Sequence, residues 1–131
     1  MNIIVMKFGG TSVAGTQKLK NIVKIVSAKI KKSKVLVVLS AMAGETNKLQ
    51  SYLDEFETQN SIESDLVLTS GEQVTIGLLS AALNNYGINS IPLLGWQIPI
   101  ITDNNHERAK ILNIDKERIN KYFEDYKVIV L

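Results

Sequence analysis

The chain has 131 residues, 45% of them hydrophobic and 21% charged, enough apolar material for one globular domain with a single core. Its net charge of +2 is small and its lysines are dispersed, which argues against nucleic acid or a membrane surface as partner. The absence of cysteine excludes disulfides and thiolate metal sites. It suits a cytoplasmic location, and the sequence reads as soluble, with no signal-peptide pattern and no segment long enough to span a bilayer.

Residues 3–6, Ile-Ile-Val-Met, form an unbroken apolar run that predicts a strand buried on both faces, as in a parallel sheet. From Gln17 to Lys31 the period changes, with Leu19, Ile22, Val23, Val26 and Ile30 at helical spacing and the lysines elsewhere on the wheel. Residues 35–39 supply a second apolar strand, completing a β-α-β unit. Thr46 to Phe56 predicts a helix, followed by a polar linker from Glu57 to Ser64. A third helix, residues 72–86, is apolar around most of its circumference and is expected to bury more than one side, against the sheet and a partner subunit. Gly87 is placed as its stop. Residues 88–94 read as a strand that Pro92 pushes toward an edge or bulge, and residues 95–105 as a short strand with turns. A short helix from Asp115 to Tyr122 and a last apolar strand, residues 127–131, complete the order. Because ligands in such sheets sit beyond the carboxyl ends of strands, a chain stopping there reads as part of a larger domain.

Three segments carry possible chemistry. KFGGTS, residues 7–12, is neither a P-loop nor a dinucleotide fingerprint. It nevertheless combines the Lys7 ammonium with Gly9 and Gly10, whose backbone can approach an anion closely. The bland reading is a tight turn with Lys7 in solvent. In SAMAGETN, Ser40 ends a buried strand and small residues after it leave room for a ligand; Thr46 is equally placed as a helix N-cap. In LTSGEQ, Ser70 and Gln73 fit a capping box that sets Glu72 in a first helical turn, stabilised by the helix dipole. The functional reading makes Glu72 a carboxylate that captures an ammonium group. Trp96 either lines a pocket or packs, with a subunit contact as one form of the second reading, and His106 reads as a solvated loop residue.

Taken together and in order, KFGGTS, SAMAGETNKL, SGEQVTIGLLSAAL and GWQIPIITDNNHERAKI resemble the aspartate kinases of the amino-acid kinase superfamily, over essentially the whole chain. That resemblance implies a three-layer α/β/α sandwich of the carbamate kinase-like type with a mostly parallel sheet. It implies that ATP, with Mg²⁺, phosphorylates the side-chain carboxylate of L-aspartate to 4-phospho-L-aspartate, opening the routes to lysine through diaminopimelate, to threonine and to methionine. Lys7 would be catalytic. Lys7, Phe8, Gly9, Gly10, Thr11, Ser12 and Ser40 would bind ATP, and Ser40, Thr46 and Glu72 the aspartate, with Glu72 on its α-ammonium group. The physics is compatible: the side-chain carboxylate of aspartate, with a pKa of about 4, is already a nucleophile at neutral pH. Catalysis is then mainly charge neutralisation and alignment.

The resemblance also implies what residues 1–131 lack, because aspartate kinases continue with a nucleotide-binding half and ACT regulatory domains. The chain is therefore expected to be the N-terminal part of a kinase domain, inactive alone, and to act as a homo-oligomer or with a complementary chain carrying the missing half. The alternatives are a non-catalytic remnant and a superfamily kinase acting on acetylglutamate, glutamate or UMP, although SGEQ and SAMAGETN point to aspartate.

Overall fold

The structure, a computed structural model, describes residues 2–131. In chain order its elements are β1 (Ile3–Phe8), α1 (Gly10–Val13), α2 (Thr16–Lys29), β2 (Lys34–Leu39), α3 (Glu45–Asp54), α4 (Ile62–Asn85), β3 (Ser90–Pro92), a 3₁₀ turn (Gly95–Gln97), β4 (Ile100–Thr102), β5 (Ile111–Ile114), α5 (Lys116–Asp125) and β6 (Val128–Val130). Strands β1, β2, β6 and β3 form a parallel sheet in that order. Strands β4 and β5 pair antiparallel as a separate hairpin.

Strand alternation divides the core in two. Val35, Val37 and Leu39 of β2 join Leu19, Ile22, Val23 and Val26 of α2 and Ile76, Leu79 and Leu83 of α4. Leu36 and Val38 meet the other cluster, built on Phe123 of α5 with Leu93, Ile98 and Ile129. Helices on both faces of a parallel sheet make the three-layer α/β/α arrangement that the resemblance implied. Lys34 ties α5 to the sheet: its ammonium donates to the carbonyls of Phe123 and Tyr126, at the end of that helix where carbonyls lack helical partners.

The two sheet edges differ. At β3 the Asn84 side chain brackets Ser90, accepting from its amide at 2.9 Å and donating to its carbonyl at 3.2 Å, and Pro92 sits on this edge as anticipated. At the other edge lies β1, which corrects the expectation of a strand buried on both faces. Val5, paired with Leu36 in the sheet, is 64% exposed, although Ile3 of the same strand packs against the Phe123 cluster. The last strand, β6, instead lies centrally between β2 and β3, with all three residues buried.

Helix α4 departs most from its sequence reading. It begins at Ile62, ten residues before the expected start, and Ser61 caps it in a reciprocal box with Ser64. Ser70 is therefore interior, its hydroxyl turned back to the Val67 carbonyl, and Glu72 is not in a first turn. At 24 residues α4 is also long and apolar enough to cross a membrane by length and composition, contrary to the expectation that no segment is. Here its inner face packs on the sheet through Leu79 and Leu83, while Ile62, Leu66 and Val74 remain exposed. Gly87, at φ +75°, ends the helical segment as anticipated. Strand β5 has no counterpart in the sequence reading: all four of its residues are exposed, so no buried face imposes a period.

Candidate functional site

The three motif segments converge on the backbone of Ala41. Its carbonyl oxygen would lie 2.8 Å from a Cβ at Gly10, so only glycine lets the loop after β1 come this close. Its amide donates to Glu72 Oε1 at 3.1 Å, and its methyl would sit 2.8 Å from a Cβ at Gly71. A further bond, from the Ala43 amide to the Gly10 carbonyl at 3.1 Å, locks the loop after β1 to the loop after β2. The freedom of Gly10 thus serves loop-to-loop docking. Gly9 has only the Lys7 ammonium near it, 3.6 Å from where its Cβ would be.

Each sequence-identified residue has a definite place. Lys7 is exposed near the end of β1, and Phe8, half-buried, packs against the larger core. Thr11 and Ser12 lie exposed in the single-turn α1. Ser40, half-buried, follows β2 immediately. Thr46 is in the first turn of α3 and exposed; the N-cap there is Gly44, which removes the capping reading of Thr46. Thr46 and Glu72 share a pocket of about 250 Å³ with Asp65, Leu68, Thr69 and Glu107. Lys7, Ser40 and the glycine loop are not in that lining and connect to it through Ala41.

The pocket wall reveals residues that the sequence reading missed. Asp65, Leu68, Thr69 and Glu72 fall along one face of α4, at the spacing of successive turns. Asp65 holds the turn of the β4–β5 hairpin with both oxygens, bonding His106 Nδ1 at 2.6 Å and accepting from the Glu107 amide at 2.8 Å. These bonds hold the Asp65 carboxyl below its ordinary range, the His106 bond contributing most. Glu107 in turn accepts from the Asn60 amide at 2.7 Å, just before α4 begins. His106 thus lies in the loop between β4 and β5 as anticipated, and is paired with Asp65 instead of being simply solvated. Asp103 closes the same hairpin loop by accepting from the amides of Lys110 and Asn105, which lowers its pKa, the Lys110 bond contributing most. A start to α4 ten residues earlier would have been the signal for Asp65, since it sets 65, 68, 69 and 72 on one face. Trp96 is exposed and lines a separate hollow with Arg118 and Tyr122.

The sequence pattern of the amino acid kinase family matches residues 2–131. The chain belongs to that family. Among curated proteins it is 44% identical to an aspartokinase of Rickettsia felis over 129 residues, covering 95% of this chain and 32% of that one. It is 39% identical to an aspartate kinase of Pseudomonas putida, covering 100% of this chain and again 32% of the other. The chain thus spans about a third of the length of these relatives. Among solved structures, an aspartate kinase from Synechocystis superposes with a TM-score of 0.79 at 30% identity, over 99% of this chain and 21% of that one. E. coli aspartokinase III, solved with aspartate and ADP, shares the fold at a TM-score of 0.78 and 20% identity, over 99% of this chain and 40% of its own.

Proposed function

We propose that this chain is the acceptor-binding part of an aspartate kinase domain, in which the terminal phosphoryl group of ATP passes to the side-chain carboxylate of L-aspartate. The observation that carries this reading is the Ala41 junction, which couples the Lys7–glycine segment to the pocket of Thr46 and Glu72 through contacts that only glycine permits. The similarity to aspartokinases and the ligands named for E. coli aspartokinase III support the choice of aspartate and nucleotide.

In this reading Lys7, with Phe8, Gly9, Gly10, Thr11 and Ser12, faces the phosphates, Ser40 lies where nucleotide and acceptor meet, and Thr46 and Glu72 hold the amino acid. The Ala41 amide occupies Glu72 Oε1, which orients the carboxylate and leaves Oε2 for an ammonium group. The Lys7 ammonium offsets the repulsion between an attacking carboxylate and the phosphates, a contribution of about 3 kcal/mol for a well-placed electrostatic contact. ATP would bring Mg²⁺. Among the described residues no group of three or more His, Cys, Asp or Glu side chains could hold a metal ion, so no step is assigned to one on this chain. The product, 4-phospho-L-aspartate, would enter lysine, threonine and methionine formation in the cytoplasm.

The span of about a third of the relatives' length and the uncovered Val5 edge of β1 both favour a need for further polypeptide, supplied in the same chain or a complementary one. The test is ADP release from ATP and L-aspartate by the chain alone and mixed with the remaining part of a related aspartokinase. Turnover that appears only on mixing and disappears with Lys7→Ala is the expected result. Folded samples that stay silent in both arms would mark a non-catalytic remnant, and preference for acetylglutamate, glutamate or UMP would reassign the acceptor.

A further inference from the structure

The β4–β5 hairpin is largely exposed, Ile101, Ile111 and Leu112 included, yet its turn is held at the pocket by a closed set of polar contacts. Asp65 takes His106 Nδ1 on one oxygen and the Glu107 amide on the other, and Glu107 takes the Asn60 amide. Glu107 occupies the left-handed region, at φ 60°, where a residue of its kind stays only when its surroundings hold it, and Asn60, of a type that adopts this region more readily, is there at φ 50°. The result brings a carboxylate 35 positions beyond Glu72 in sequence into the lining of the same pocket.

We infer that the His106–Asp65 pair is a positioning device for the acceptor pocket, and that Glu107, which it sets there, is a specificity residue for ligands bearing an ammonium group. This rests on the aspartate reading above and deepens it. L-Aspartate has one cationic and two anionic groups, so a pocket must sort them. Glu72, Asp65 and Glu107 make one wall anionic, while the cationic Lys7 stands in the glycine segment beyond Ala41. An ammonium is drawn to the first and carboxylates are turned toward the second. His106 lies outside the pocket lining and acts only through Asp65 and the backbone of the turn.

The test uses the full chain, calorimetric titration with L-aspartate and with succinate, which keeps both carboxylates and lacks the ammonium, and hydrogen exchange of the hairpin amides. Glu107→Gln keeps the oxygen that accepts from Asn60 and removes the charge. It is expected to weaken L-aspartate binding by about fivefold, the upper end for a partly exposed charge pair, and to leave succinate unchanged or tighter. His106→Ala is expected to speed exchange across residues 103–110 and weaken L-aspartate likewise. His106→Asn, whose amide can donate from nearly the same position, is expected to restore both. L-Aspartate binding unchanged by Glu107→Gln, or losses equal for both ligands, would overturn the specificity role. Exchange in His106→Ala equal to that of the parent would overturn the positioning device whatever the ligand. A parent chain mixed with the remaining part of a related aspartokinase that binds neither ligand, while its hairpin exchange behaves as expected, would instead overturn the aspartate reading and with it the charge assignment.

Discussion

The two parts of the candidate site are built on opposite principles. At the Ala41 junction, backbone meets backbone: two glycines, a methyl group and two main-chain amides interlock with no room for a Cβ. At the hairpin, little is buried, and position depends on Asp65, Glu107 and Asp103 accepting from main-chain amides and on the bond between Asp65 and His106. A close-packed contact resists change because moving it means opening a void or a clash. A polar latch at the surface competes with water and is worth less. The junction is therefore the rigid reference and the hairpin the adjustable wall.

Substitutions can test that contrast, beginning where the largest effect is expected. Leu79→Ala, at a fully buried position of α4 beneath the sheet, should lower stability by about 2 to 5 kcal/mol in denaturant unfolding, setting the scale for core loss. Gly10→Ala should cost about 1 to 3 kcal/mol, because its methyl meets the Ala41 carbonyl at 2.8 Å and one loop must move. The same substitution at Gly77, also in α4 but with open space where Cβ would go, should instead stabilise by roughly 0.5 to 1 kcal/mol. A loss at Gly77 equal to that at Gly10 would remove the steric argument. Leu112→Ser on the exposed hairpin should change global stability by less than about 0.5 kcal/mol.

The smallest effect is the pH response of the latch. Asp65 is lowered in the folded state by its bonds to His106 and the Glu107 amide, so its contribution to stability is present above the unfolded-state value. It is lost as pH falls through the lowered folded value, on the acid side of the ordinary carboxylate range. Hydrogen exchange at residues 103–110 should therefore open on the acid side of the ordinary carboxylate range, relative to the intrinsic rate, ahead of core amides. Simultaneous opening of hairpin and core would show that the two regions are one cooperative unit.

Much of this architecture was legible in the residues. The apolar runs at 3–6 and 35–39 and the helical period between them specify the β-α-β unit, because a short unbroken apolar run and a repeat near 3.6 residues are different patterns. Lys7, Gly9, Gly10 and Ser40 could be singled out because their types and places beside strand ends carry local meaning, whereas Thr46 and Glu72 stand out through helix-start patterns that the structure replaces. Helix α4 was harder. Its outer face is as apolar as its inner one, with Leu66 and Val74 exposed, so periodicity gave no start, and the Ser70–Gln73 pattern imitated a cap inside the helix. Strand β5 was invisible because nothing on it is buried.

By itself, then, the sequence determined the parallel α/β character, the order of most elements, and the short motifs, all of which depend on residue types close together in the chain. Tertiary structure alone decided that Ala41 is where three motifs meet, that β1 stands at an edge with Val5 uncovered, and that Asp65 and Glu107 join Thr46 and Glu72. The decisive relations join residues distant in the chain, such as Gly10 with Ala41 and Asp65 with Glu107. They depend on how closely two backbones can approach and on which donors face which acceptors, and neither quantity has a local signature in the order of amino acids.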